Sequence, residues 1–141
     1  MKYHLYTLLL AVAVFGGPAY SQSNPIQIEN QNAGTTDWQI ANPATNREIE
    51  GYASLTSVNI GGSINLFVST ADPSYTIDVF RIGWYGGLGG RRMLPTITRS
   101  GGVQTTPAAD SNGTFECVWS NPYVLSIPTD WVSGIFLAKL T

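Results

Sequence analysis

The chain has 141 residues, seven basic and nine acidic side chains, a net charge of −2 and 43% hydrophobic residues. That length suits one domain. The weak negative balance argues against a nucleic-acid partner, which rewards clustered positive charge, and gives no reason for attraction to anionic membranes.

Residues 1–21 read as a signal peptide. Lys2 and His4 open the chain, and an apolar run of about 11 residues follows from Leu5 to Phe15. That run is short of the roughly 20 residues needed to cross a bilayer. Gly16, Gly17 and Pro18 then break it, and Ala19-Tyr20-Ser21 has the small residues of a cleavage site. An anchor that stays attached is the alternative. Cleavage leaves 22–141 as one module, secreted or periplasmic, with no membrane association. His4, the only histidine, leaves with the signal, and so does Lys2.

Short runs of valine, isoleucine, threonine and aromatics follow, separated by glycine and proline, the pattern of strands joined by turns. No stretch has helical spacing of apolar residues with caps. Strands are expected at Glu48–Ser54, Ser63–Thr70, Tyr75–Ile82, Phe115–Trp119, Tyr123–Ile127 and Gly134–Leu140. Val103–Thr106 and Ile26–Glu29 carry fewer of these signals. Ala71-Asp72-Pro73-Ser74 reads as the polar turn of an antiparallel hairpin. Ser100-Gly101-Gly102 and Pro107 to Gly113 read as loops, with Asn112-Gly113 a tight turn. Asn112-Gly113-Thr114 is also a formal glycosylation triplet. The expected fold is all-β: an immunoglobulin-like antiparallel β-sandwich of about seven or eight short strands, with a closed barrel as the alternative. Thr141 follows directly on an apolar run, which reads as a chain cut within a longer protein.

Hydrolytic chemistry finds little support. A nucleophilic serine or cysteine needs a base, and after residue 21 there is no histidine and only one lysine, Lys139. Zinc wants clustered cysteine and histidine ligands, and Cys117 is the only cysteine. Cys117 reads as a small buried residue on a strand, or as half of a bond to a cysteine outside the segment. Glu48 and Glu50 share a strand face with carboxyl groups about 5–9 Å apart, a glycosidase-like spacing. Two neighbouring acids more often form a solvated strand face, and Arg47 softens their repulsion. No catalytic, metal or cofactor-binding residue is assigned to this chain.

The most distinctive stretch is Arg81 to Arg92, which holds three arginines, two large aromatics and five glycines in twelve positions. Arginine and large aromatics dominate contact hot spots. Arg81, Trp84, Tyr85, Arg91 and Arg92 are therefore a candidate contact surface. Its partner is a downstream domain or another subunit, with arginines pairing carboxylates. The alternative is a carbohydrate-binding module in which Trp84 and Tyr85 stack on a sugar. Trp38, Trp119 and Trp131 read as plugs of the core or its ends.

Three segments together resemble a known family. Gly34-Thr35-Thr36-Asp37-Trp38-Gln39 leads through Asn42-Pro43-Ala44-Thr45 to Arg47-Glu48-Ile49-Glu50-Gly51-Tyr52. Tyr75 to Gly87 follows, and then Trp131 to Leu140. This order resembles the N-terminal β-sandwich region of bacterial proteins related to the large subunit of N,N-dimethylformamidase, over about residues 24–141. The resemblance implies a sandwich that precedes a larger domain with an iron-dependent amide-hydrolysing site. The iron ligands lie in that larger domain, and no position here matches them. The implied role is a non-catalytic accessory or docking module of a secreted protein. In a further alternative, the chain is part of an amide hydrolase whose active site lies downstream.

Overall fold

The computed structural model describes residues 23–141. The expected signal peptide, with His4, lies outside the described residues. Among the described residues there are six strands, all antiparallel, in one sheet: β1 (Ile49–Ala53), β2 (Ser63–Ile82), β3 (Gly90–Arg92), β4 (Ile97–Gly102), β5 (Tyr123–Ser126) and β6 (Ile135–Leu140). One short helix, α1 (Pro25–Glu29), precedes them. The all-β, sandwich-like expectation holds, with six strands in place of seven or eight.

Every other strand pairs with β2. β1 and β6 follow one another along one edge, while β5, β4 and β3 line the opposite edge. The expected hairpin at 63–82 is therefore a single strand of 20 residues. The polar tetrapeptide Ala71 to Ser74 does not turn the chain back. It carries a bulge instead: the register with β4 shifts between Thr70 and Ser74. Pro73, with no N–H to donate, is tolerated at such an irregularity. Alternation changes phase across the bulge. Leu66 and Val68 before it, and Tyr75, Ile77 and Val79 after it, point into one core with Leu125 and Trp131. The bulge thus lets both halves of one strand wall the same interior, as bulges do where sheets bend.

Several local expectations give way for identifiable reasons. Ile26–Glu29 is helical, not extended. Asn24 caps the turn, its Oδ1 accepting from the Ile26 N–H at 2.9 Å, and Pro25 takes the first helical position. Asparagine and proline at those places start a helix whatever the isoleucines prefer. Ser100-Gly101-Gly102 belongs to β4, not to a loop. Val103–Thr106 and Phe115–Trp119 form no strand. Their backbones are tied by side chains instead of by ladders. Gln104 donates Nε2 to Ser120 O at 2.9 Å and accepts the Ser120 N–H at 3.3 Å. The Tyr52 hydroxyl donates to Cys117 O at 3.1 Å and accepts from the Trp119 N–H at 3.3 Å. Cys117 is exposed there, not buried on a strand. Asn112-Gly113 does form the expected turn: the Asn112 and Thr114 N–H groups both donate to Asp110 Oδ1 at 2.8 Å.

Candidate functional site

The glycine-rich stretch begins at the end of β2 and returns as β3. Between them, Tyr85–Gly87 makes a single tight turn. Tyr85 has φ 42°, and Gly86, Gly87 and Gly89 also take positive φ. Left-handed backbone is costly for a bulky residue and persists only where surroundings fix it.

Those surroundings are a buried polar network. Arg81 is 2% exposed, Tyr85 1% and Glu29 8%. Arg81 donates from Nη1 to the Tyr85 hydroxyl at 2.9 Å, from Nε to Val132 O at 3.1 Å and from Nη2 to Ser133 O at 2.7 Å. The Tyr85 hydroxyl donates onward to Glu29 Oε1 at 2.9 Å, and Arg91 Nη1 donates to the same oxygen at 2.7 Å. Gly134 is required beneath the guanidinium, since a Cβ there would lie 2.9 Å from Arg81 Nε. Burial pushes the Glu29 carboxyl up. Hydrogen bonds from Arg91 and Tyr85, with the charges of Arg91 and Arg81, outweigh it and hold Glu29 below its ordinary value. Burial raises the Tyr85 phenol; its bond to Glu29 adds to this, while Arg81 only partly offsets it.

Residues 24–39 lie against this loop as a strap. Asn30 Oδ1 accepts the Trp84 N–H at 2.8 Å. The Thr35 N–H donates to Gly90 O at 2.7 Å, and Trp38 Nε1 donates to Leu88 O at 3.0 Å. A Cβ on Gly90 would come 2.6 Å from Trp38 Cδ1, so glycine is needed for the indole to seat. Lys139 donates to Asp37 O at 2.8 Å and to Gln39 O at 3.0 Å, fixing the strap's far end to β6. The glycines and arginines that look like an outward contact motif are thus largely engaged by the chain itself.

The five candidate residues consequently separate. Arg81 and Tyr85 are interior. Arg91 is half-buried on Glu29. Arg92 pairs with Asp78, lies 3.6 Å from Asp37 and sits over the Phe80 ring. Trp84 alone turns outward, 70% exposed. It walls an open depression with Leu88, over Tyr85 and Gly34, and the strap's Asn30, Gln31 and Asn32 form the other rim. No charged side chain lines it. The residues that sequence reasoning missed are Glu29, Asn30 and Trp38. No local signal marks them, because their partners lie 50 or more positions away.

The paired acids are not poised for catalysis. Glu48 accepts from the Asn46 N–H and Nδ2, both at 3.0 Å. Glu50 accepts two bonds from Arg47, at 2.7 and 3.0 Å, and those bonds first, with the arginine's charge, hold its carboxyl below the ordinary value. Among the described residues, no three His, Cys, Asp or Glu side chains come together as a metal would need. With Glu29, Glu48 and Glu50 already bonded, the donor set here does not fit an iron centre.

Residues 76–141 match the family described as N,N-dimethylformamidase beta subunit-like, C-terminal. The chain carries a dimethylformamidase-like domain. The matched segment starts within β2 and runs through β6, so it contains Arg81, Tyr85, Arg91 and the carbonyls of Val132 and Ser133. The strap that supplies Glu29 and Trp38 to this dimethylformamidase-like domain lies before the matched residues. No curated protein matches the chain, and no solved structure matches it. Among the described residues, no helix is long and apolar enough to cross a membrane.

Proposed function

We propose that this chain is a non-catalytic accessory module of a secreted dimethylformamidase-like protein, and that it docks through Trp84 onto another domain or subunit. The exposure of Trp84 carries this reading. Its neighbours in the loop are locked into the fold, yet its indole stands in solvent beside Leu88. Ile26 and Ile28 of α1 are exposed as well. Large apolar groups outside a small core suit a surface that another protein covers. The family description names a subunit, which fits a partner within an assembly. Amide hydrolysis and any iron then belong to residues beyond those described here.

Arg81 and Tyr85 are poor probes of docking because they hold the loop together. The test is Trp84→Ala in the natural assembly, followed by sedimentation velocity. Loss of about 2 kcal/mol of association, with folding unchanged, supports docking; unchanged association contradicts it. The carbohydrate alternative keeps the uncharged depression but loses Tyr85 as a stacking surface. It predicts a tryptophan-fluorescence change with polysaccharides, and a flat titration across a broad glycan panel removes it.

A further inference from the structure

The depression at Trp84 is composite. One wall, Trp84 to Leu88, comes from the loop after β2, and the other, Asn30 to Gly34, comes from the strap. It exists only while the strap is docked. Residues 24–34 are held beside this wall by one anionic group, Glu29, and by Asn30, whose Oδ1 accepts the Trp84 N–H. Glu29 faces Arg81 of β2, Tyr85 of the turn and Arg91 of β3, and Asn32 on its own segment donates to Oε2 at 3.1 Å. Among the described residues, no other carboxylate bonds to Tyr85 or Arg91. A neutral Glu29 would withdraw the anion that pairs with Arg91 and that the Tyr85 hydroxyl joins to Arg81, itself 2% exposed. An uncompensated buried charge is strongly unfavourable. The helix that carries Glu29 is only five residues long and cannot hold itself in place.

We propose that residues 24–34 form a charge-held clasp, so that ionised Glu29 assembles the Trp84 depression and its neutralisation in acid dismantles it while the sheet stays folded. This rests on the reading of Trp84 as the docking residue and adds its regulation: the surface is complete at neutral pH and lost in acid. The rest of the strap, at Trp38 and Lys139, is held by neutral acceptors and stays on.

The test is hydrogen–deuterium exchange on the full chain at pH 7, wild type against Glu29→Gln. The expected result is exchange about tenfold or more faster at Asn30, Gln31 and Asn32, whose N–H groups are bonded within the strap, while Thr35, bonded to Gly90 O, keeps its protection. Amides of β2 should keep wild-type protection. Unchanged strap protection would overturn the proposal, and so would equal loss in strap and β2. A second arm acidifies the wild type. Tryptophan fluorescence changing before β-sheet circular dichroism is lost, with no such step in Glu29→Gln, supports the clasp; coincident transitions contradict it. Neither arm contains a partner, so clasp opening is read independently of whether Trp84 docks.

Discussion

The two halves of β2 support their surroundings in opposite ways. Around the C-terminal half, arginine, tyrosine and glutamate are buried in a network that leaves no buried side-chain nitrogen or oxygen without a partner among the described residues, and a strap from far upstream completes it. Around the N-terminal half, the segment 103–121 is tied by isolated side-chain bonds from Tyr52 and Gln104. There Val103, Phe115 and Val118 stand in solvent. Polar residues carry the interior in one region, while apolar residues sit outside in the other. The lesson is that residue type alone does not separate a contact surface from internal glue. What separates them is whether another part of the same chain already occupies the contact.

The largest expected effect is at Arg81. Arg81→Met should cost about 3–5 kcal/mol of stability in urea unfolding, because it strands Val132 O, Ser133 O and the Tyr85 hydroxyl. A cost below 1 kcal/mol would erase the contrast between the two halves. Next is Gly90→Ala, which drives a Cβ into the Trp38 ring. Overpacking of this kind costs about 1–3 kcal/mol, and near-ultraviolet circular dichroism should report the displaced indole.

The pH dependence sharpens the same contrast. The folded-state pKa of Glu29 lies below its unfolded value, near 4.3 for an ordinary glutamate. Its contribution is therefore fully present above that unfolded value and is lost as pH falls through the folded one. Urea midpoints of the wild type should fall over this window more steeply than those of Glu29→Gln. Parallel curves would show that the clasp contributes nothing. The smallest effect belongs to the other region. Val118→Ser, at a site 87% exposed, should change stability by no more than about 0.5 kcal/mol.

Much of the sheet was legible from alternation. Ile64, Leu66 and Val68 announce a strand because a half-buried strand needs period two, while 135–140 announces one as a short apolar run after the turn residues at 128–130. The hairpin was misread because Asp72-Pro73 carries turn chemistry, yet turn residues also serve a bulge within a long strand. Phe115–Trp119 has strand composition without a strand, and the Tyr52 hydroxyl bonds the Cys117 carbonyl and the Trp119 N–H from outside it. For the candidate site, the glycine-rich motif was visible, but its direction was not. Whether Arg81 points in or out depends on Glu29, 52 positions upstream, and on carbonyls 51 and 52 positions downstream. No local pattern encodes such distant partners.

Two adjacent residues put the account to its most direct test. Equilibrium urea unfolding of Tyr85→Phe and Trp84→Ala, measured side by side, separates the inward member of the pair from the outward one. The account predicts a loss of about 1–3 kcal/mol for Tyr85→Phe, which removes one hydroxyl from a buried relay. It predicts a change within about 0.5 kcal/mol for Trp84→Ala, although far more atoms are deleted. Equal losses, or a larger loss at Trp84, would contradict it.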